Sequence, residues 1–297
     1  MTAPDASAPR GRIAASAIAL GWTVLYFVLG FTFSVVIALG LGLLFGPASK
    51  PLSILDQPGP VALLVQGVSA LAGFGAATWL VGVKGAGLDA VALRWRMPVP
   101  KSGALVRGLV LGAVPAAAVI ILALVFGGAG FVADAGNAGE YLRRVGLTLL
   151  VLAPAALSEE VMFRGVPQVL LARVWGRTGA LLVISIAFAV AHLFNPNGTT
   201  LALGNIWLAG VFLGAAFYLP GGIWTAFGAH LGWNATLAAC DAPVSGLPFA
   251  IPWINYQPGG PAWLTGGTFG PEGGLLATVS IGLAVAWAAR RIRREES

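Results

Sequence analysis

Two glutamates stand side by side in the run Ser158-Glu159-Glu160-Val161-Met162-Phe163-Arg164, inside an otherwise apolar stretch. The chain has only two histidines, His192 and His230, and each also lies in an apolar stretch, the second four residues before Asn234. A carboxylate and an imidazole can together bind and deprotonate a water molecule. A second imidazole and an asparagine amide can donate hydrogen bonds to a carbonyl oxygen as it becomes negative. Those groups suffice for peptide hydrolysis without a covalent intermediate, and that route requires no cofactor. Glu159, His192 and His230 could equally ligate a divalent metal such as zinc, which accepts nitrogen and carboxylate donors and leaves one position open in catalytic sites. No His-Glu-x-x-His pattern is present. Ser158 has no histidine local to it and is a weak candidate nucleophile.

Helical spacing divides the cluster. Glu160 and Arg164 are four residues apart, with the acid first, the favourable order for an ion pair on one helix face. Glu159 points about 100° away from Glu160 at 3.6 residues per turn, so it lacks that partner. A charged group at mid-membrane costs about 2.5–3.5 kcal/mol on insertion scales, and three together demand a reason. The expectation is that Glu159, Glu160, Arg164, His192, His230 and Asn234 form one polar site. The alternative is that residues 158–164 form a loop between two short helices.

Hydrophobic residues make up 58% of the 297 positions and charged residues 9%. Soluble domains carry roughly 25% charged residues, so this chain cannot cover a water-facing surface. Its apolar residues fall in long blocks, which makes lipid the solvent. The expected fold is therefore all-α, a polytopic transmembrane helical bundle. The net charge of +6 does not indicate nucleic acid, because the basic residues sit at segment ends and in short loops. The lone cysteine, Cys240, permits no internal disulfide or cysteine cluster and reads as a small apolar-phase residue.

The blocks run from about 13–45, 61–83, 104–126, 145–175, 179–194, 201–219, 222–240 and 274–289. That predicts about eight spans. The first follows Arg10 and Arg12 like a signal peptide, but it exceeds the ~7–15 apolar residues of a signal and reads as a retained helix ended by Gly46-Pro47. Pro154 and Pro167 are expected kinks in the fourth block. With the N-terminus inside, Lys84, Arg94, Arg96, Lys101, Arg107, Arg173, Arg177 and the arginines from 290 onward fall on the cytoplasmic side. The outer loops keep only Lys50, Arg143 and Arg144, beside Asp56, Asp134, Glu140, Asp241 and Glu272. This positive-inside asymmetry predicts cytoplasmic tails at 1–12 and 291–297 flanking a membrane domain at 13–290. The Pro-, Gly- and Trp-rich segment 241–273 has too many breakers for a span. It reads as an outer loop, with Trp253, Tyr256 and Trp263 at the membrane interface. Counted by rise along each helix, Glu159, His192, Asn234 and His230 lie about 24, 20, 18 and 12 Å from the inner ends, near enough to share a cavity.

Glu159-Glu160 with Arg164, then Phe188 with His192, then His230 with Asn234, resembles in order and spacing the CAAX-protease and bacteriocin-processing family of intramembrane proteases. That family includes the type II CAAX prenyl endopeptidases. The resemblance covers roughly residues 145–240. It implies Glu159 as the water-activating residue with His192 assisting, His230 and Asn234 as the oxyanion site, Glu160–Arg164 as a supporting pair, and Phe188 as a cavity wall. It further implies a membrane-associated peptide or protein as substrate, and it admits either a metal-free glutamate mechanism or a metalloprotease. The Ala-, Gly- and Arg-rich composition with three lysines points to a high-GC bacterial genome, which weakens a literal prenyl-protein substrate. Two other readings stand beside the protease: a proton-coupled transporter, and a catalytically silent scaffold or immunity protein.

Overall fold

The computed structural model describes residues 9–45, 50, 53, 55 and 59–296. Eight long helices are present among them. These are α1 (Pro9–Phe45), α2 (Pro60–Ala77, continued by a π-helical segment Thr78–Gly85), α3 (Lys101–Phe126), α4 (Ala138–Arg164), α5 (Val166–Ala191), α6 (Thr200–Tyr218), α7 (Ile223–Ala239) and α9 (Leu275–Glu296). A four-residue helix α8 (Ala262–Thr265) precedes the last. Strands β1 (Gly130–Ala133) and β2 (Ile254–Gln257) pair antiparallel, with Phe131 opposite Tyr256. Six continuous helical stretches are long and apolar enough to cross a membrane. One of these, Ala138–Ala191, contains both α4 and α5, while α7 falls just below that length with 17 residues. The chain is an all-α, multi-pass membrane bundle, as expected. The expected stop at Gly46-Pro47, Asp56, and residues 1–8 of the expected N-terminal tail lie outside the described residues.

The fourth and fifth blocks divide differently from expectation. Helix α4 begins earlier, at Ala138, where the Asn137 side chain accepts hydrogen bonds from the Gly139 and Glu140 amides at 3.0 and 3.1 Å. These satisfy amides that no preceding carbonyl can reach. The helix ends at Arg164, because Gly165 leaves helical geometry (ψ −118°). Pro167 then occupies the first turn of α5, where its missing N–H costs nothing. A proline expected to kink one helix instead begins a new one. A second interruption falls at Gly176, whose φ of +73° belongs to the left-handed region that glycine tolerates. The rise count for Glu159 across 159–175 therefore crosses a break. The alternative of a loop at 158–164 does not hold, since all these residues are helical.

Helix α7, which carries His230 and Asn234, packs most extensively against α3. The two backbones touch through Gly108 and Gly112 on α3 and Gly228 and Gly232 on α7. A Cβ on Gly112 would lie 1.9 Å from the Ala229 carbonyl oxygen, and one on Gly232 would lie 2.2 Å from that of Leu109. Without a hydrophobic drive between helices in lipid, close backbone approach of this kind supplies the association. Outward-facing Val106, Val110, Val114 and Val125 leave the opposite face of α3 to lipid.

Segment 241–273 does not span, as expected, but it folds onto the bundle. Val244, Phe249, Ile251 and Phe269 are buried. Tyr256, expected at the interface, is buried at 3% exposure because β2 pairs with β1, whereas Trp253 and Trp263 stay exposed. The glycine contact between α3 and α7 gives the first prediction. Gly112→Val should lower the thermal midpoint in detergent, an overpacking cost of about 1–3 kcal/mol. A variant as stable as the parent would mean that the close approach does not hold α7.

Candidate active site

Glu160 and Arg164 are both wholly buried, and Arg164 Nη1 donates to Glu160 Oε1 at 3.2 Å. Arg164 Nη2 donates to the Gly210 carbonyl on α6 at 3.1 Å. One turn on, Gln168 Nε2 donates to the Gly214 carbonyl at 3.2 Å. The guanidinium carbon lies 4.5 Å from the centre of the Phe188 ring, a cation–π contact strengthened by the absence of water. The carbonyls left free where α4 ends are partly satisfied from α1, since the Tyr26 hydroxyl donates to Val161 O at 2.8 Å. Helices α1, α5 and α6 thus converge on the last turn of α4.

His230 enters from α7, and its Nδ1 is 2.8 Å from Glu160 Oε1. A carboxylate oxygen only accepts, so Nδ1 carries the proton, and Nε2 faces Glu159 Oε2 at 3.8 Å. His192 sits at the C-terminal cap of α5, one residue past the helix expected to contain it. Its Nδ1 donates to the Phe188 carbonyl at 2.7 Å. That likewise leaves Nε2 toward Glu159 Oε2, at 3.8 Å. Glu159 Oε2 is buried and has no hydrogen-bond partner in the protein. The Phe188 ring lies 4.6 Å from the His192 ring and 6.1 Å from that of His230, walling the site as expected.

A cavity of about 340 Å³ opens on these groups, lined by Glu159, His192, Asn195, His230, Asn234 and Ser245 among others. A smaller one of about 30 Å³, shared by His192, His230 and Asn234, reaches deeper to Glu272. All six expected residues therefore meet: Glu159, His192, His230 and Asn234 at the cavity, Glu160 and Arg164 directly behind His230. Ser158 spends its hydroxyl on the Ala155 carbonyl at 2.7 Å. For a metal, the donor types of Glu159, His192 and His230 are suitable. Glu159 Oε2 lies 3.8 Å from the Nε2 atoms of both histidines, and among the described residues no group of three or more His, Cys, Asp or Glu is already drawn in to metal-holding distances.

Two buried polar residues at this site escaped the sequence reading. Glu272 Oε1 accepts from Trp233 Nε1 at 2.7 Å, and its Oε2 accepts from the Ser245 amide and hydroxyl. Burial holds the Glu272 carboxyl above its ordinary range, against these donors. Asn205 on α6 donates to the Glu272 and Gly274 carbonyls at 2.7 and 2.8 Å. Asn195, just after His192, donates to the Ser245 carbonyl at 3.0 Å. Segment 241–273 is thereby tied to α5, α6 and α7 over the cavity. Asn205 was visible as a polar residue in an apolar block. Glu272 gave no local signal, being one charge in a glycine-rich loop.

Residues 141–236 match the model of the family described as type II CAAX prenyl endopeptidase Rce1-like. No curated protein and no solved structure matches the chain. The matched span runs from Tyr141 on α4 to Thr236 on α7 and contains all six expected residues, while Glu272 lies beyond it.

Removing one member of a buried ion pair strands the other, at about 3–5 kcal/mol, whereas removing both is often neutral. Glu160→Leu and Arg164→Leu should each lower the thermal midpoint more than the double variant does. Additive losses in thermal unfolding would contradict a coupled pair.

Proposed function

We propose that the chain is an intramembrane endopeptidase of the CAAX-protease and bacteriocin-processing family, whose type II CAAX prenyl endopeptidase-like model residues 141–236 match, and that it hydrolyses a peptide bond of a membrane-associated protein or peptide by direct attack of water. The observation that carries this reading is Glu159 Oε2, unpartnered and 3.8 Å from the Nε2 atoms of both histidines. In this mechanism a water bound between Glu159 and neutral His192 gives its proton to Glu159 as its oxygen bonds to the scissile carbonyl carbon. Protonated His230, anchored through Nδ1 on Glu160, turns Nε2–H to the oxygen as it becomes negative, and the Asn234 amide donates beside it. Glu159 then delivers its proton to the leaving nitrogen as the C–N bond breaks. One water is consumed and Glu159 returns to its carboxylate form.

With His230 protonated and Glu159 ionised, as this mechanism requires, the charges of Glu159, Glu160, Arg164 and His230 sum to zero. No step runs through a metal. The positive-inside pattern of the sequence supports cytoplasmic termini, with residues 145–240 as the core that carries the chemistry.

Two outcomes are expected in proteoliposomes with a fluorogenic CAAX peptide, farnesylated or bare. Glu159→Gln and His192→Ala should each lower kcat/KM by about 10²–10⁴, the usual worth of general acid–base assistance, with thermal midpoints near that of the parent. Cleavage by either variant at the parent rate would overturn the assignment. Activity should also survive a chelator. Loss that added zinc restores would make Glu159, His192 and His230 metal ligands instead.

A further inference from the structure

Helices α3 and α9 meet at Pro115, whose carbonyl accepts from the Ser280 hydroxyl at 2.8 Å. From there they enclose an outward-facing trough of about 630 Å³. Val106, Val110 and Val114 form one wall, Leu283, Ala284 and Trp287 the other. Most of these side chains are more than half exposed, so in a membrane protein the trough opens to the bilayer. At one end the chemistry changes. An adjoining cavity of about 290 Å³ shares Arg107, Leu111 and Trp287 with the trough and adds Arg291 and Thr225. Neither cavity includes any residue of the proposed active site.

Two guanidinium groups in one small cavity, beside an indole and at the mouth of an apolar trough, select an amphiphile with a compact anionic head. Guanidinium groups match phosphate oxygens with paired hydrogen bonds. Basic pockets between membrane helices are suited to anionic lipid headgroups, and tryptophan settles at that level. A zwitterionic head would bring its ammonium against the same two arginines. We propose that this is a binding site for an anionic phospholipid, with an acyl chain lying in the α3–α9 trough and the phosphodiester between Arg107 and Arg291.

The site rests on chemistry independent of the hydrolytic reading. The test uses the full chain, delipidated in detergent, and then offered dioleoyl phosphatidylglycerol, cardiolipin or dioleoyl phosphatidylcholine. Native mass spectrometry reads the lipid retained per protein. Phosphatidylglycerol and cardiolipin should be retained in preference to phosphatidylcholine. Arg107→Gln with Arg291→Gln should weaken that retention on the order of tenfold, from the attraction each basic side chain exerts at the membrane surface. Val110→Trp, which fills the trough but leaves the charge, should weaken it as well. Arg96→Gln with Arg173→Gln, at exposed arginines that line neither cavity, should leave it unchanged. Equal retention of the zwitterionic lipid would overturn the proposal, as would an equal loss in the Arg96/Arg173 pair. A dimer that Val110→Trp dissolves while lipid retention persists would assign the trough to a second copy of the chain instead.

Discussion

Everything in the site hangs on the Glu160 carboxylate, wholly buried between the Arg164 guanidinium and the His230 imidazole. A carboxylate in that position is tolerable only with both partners in place, since an unpaired charge away from water costs several kcal/mol. The constraint propagates outward. Arg164 must reach Glu160 from one turn later, which keeps the last turn of α4 helical up to Gly165. Its Nη2 is then taken by the Gly210 carbonyl and its flat face by the Phe188 ring, locking α6 and α5 to α4, while Nε stays buried without a partner. His230 must offer Nδ1 to Glu160, and so its other nitrogen is aimed at Glu159.

The same logic explains why two adjacent glutamates differ in what they can do. Glu160 is consumed by structure. Glu159, rotated about 100° around the helix, escapes the arginine and faces two imidazole nitrogens across a gap too long for direct hydrogen bonds. A carboxylate whose Oε1 is shared by a guanidinium and an imidazole, as that of Glu160 is, would make a poor base. In the proposed mechanism the gap leaves Glu159 free to exchange a proton, and the glycine contact between α3 and α7 seats the helix that carries His230. Segment 241–273 completes the enclosure through Glu272, Ser245 and Asn195.

Much of this was legible in the sequence, for identifiable reasons. Lipid imposes long apolar blocks, so α2, α3, α6 and α7 lie within a few residues of their expected limits. The ionisable residues stood out because the same lipid penalises them, and all six expected site residues converge. What escaped were features without a periodic signature. The break after Arg164 is hidden because apolar residues continue on both sides of Gly165, and Pro167 reads equally as a kink or as the first turn of a new helix. The start of α4 carries Glu140, Arg143 and Arg144, which read as loop. Glu272 and Tyr256 owe their burial to partners far away in sequence, Trp233 and β1, and no local pattern announces a contact of that kind.

The central claim is that Glu159 drives water directly onto the substrate with no covalent enzyme intermediate. Partitioning of the cleaved acyl group between water and added hydroxylamine tests it most directly. If water attacks the peptide itself, the new C-terminus should be a carboxylate at every hydroxylamine concentration, and the first turnover should show no burst of amine release. A hydroxamate product that rises with hydroxylamine, accompanied by a burst, would reveal an acyl-enzyme and contradict the account.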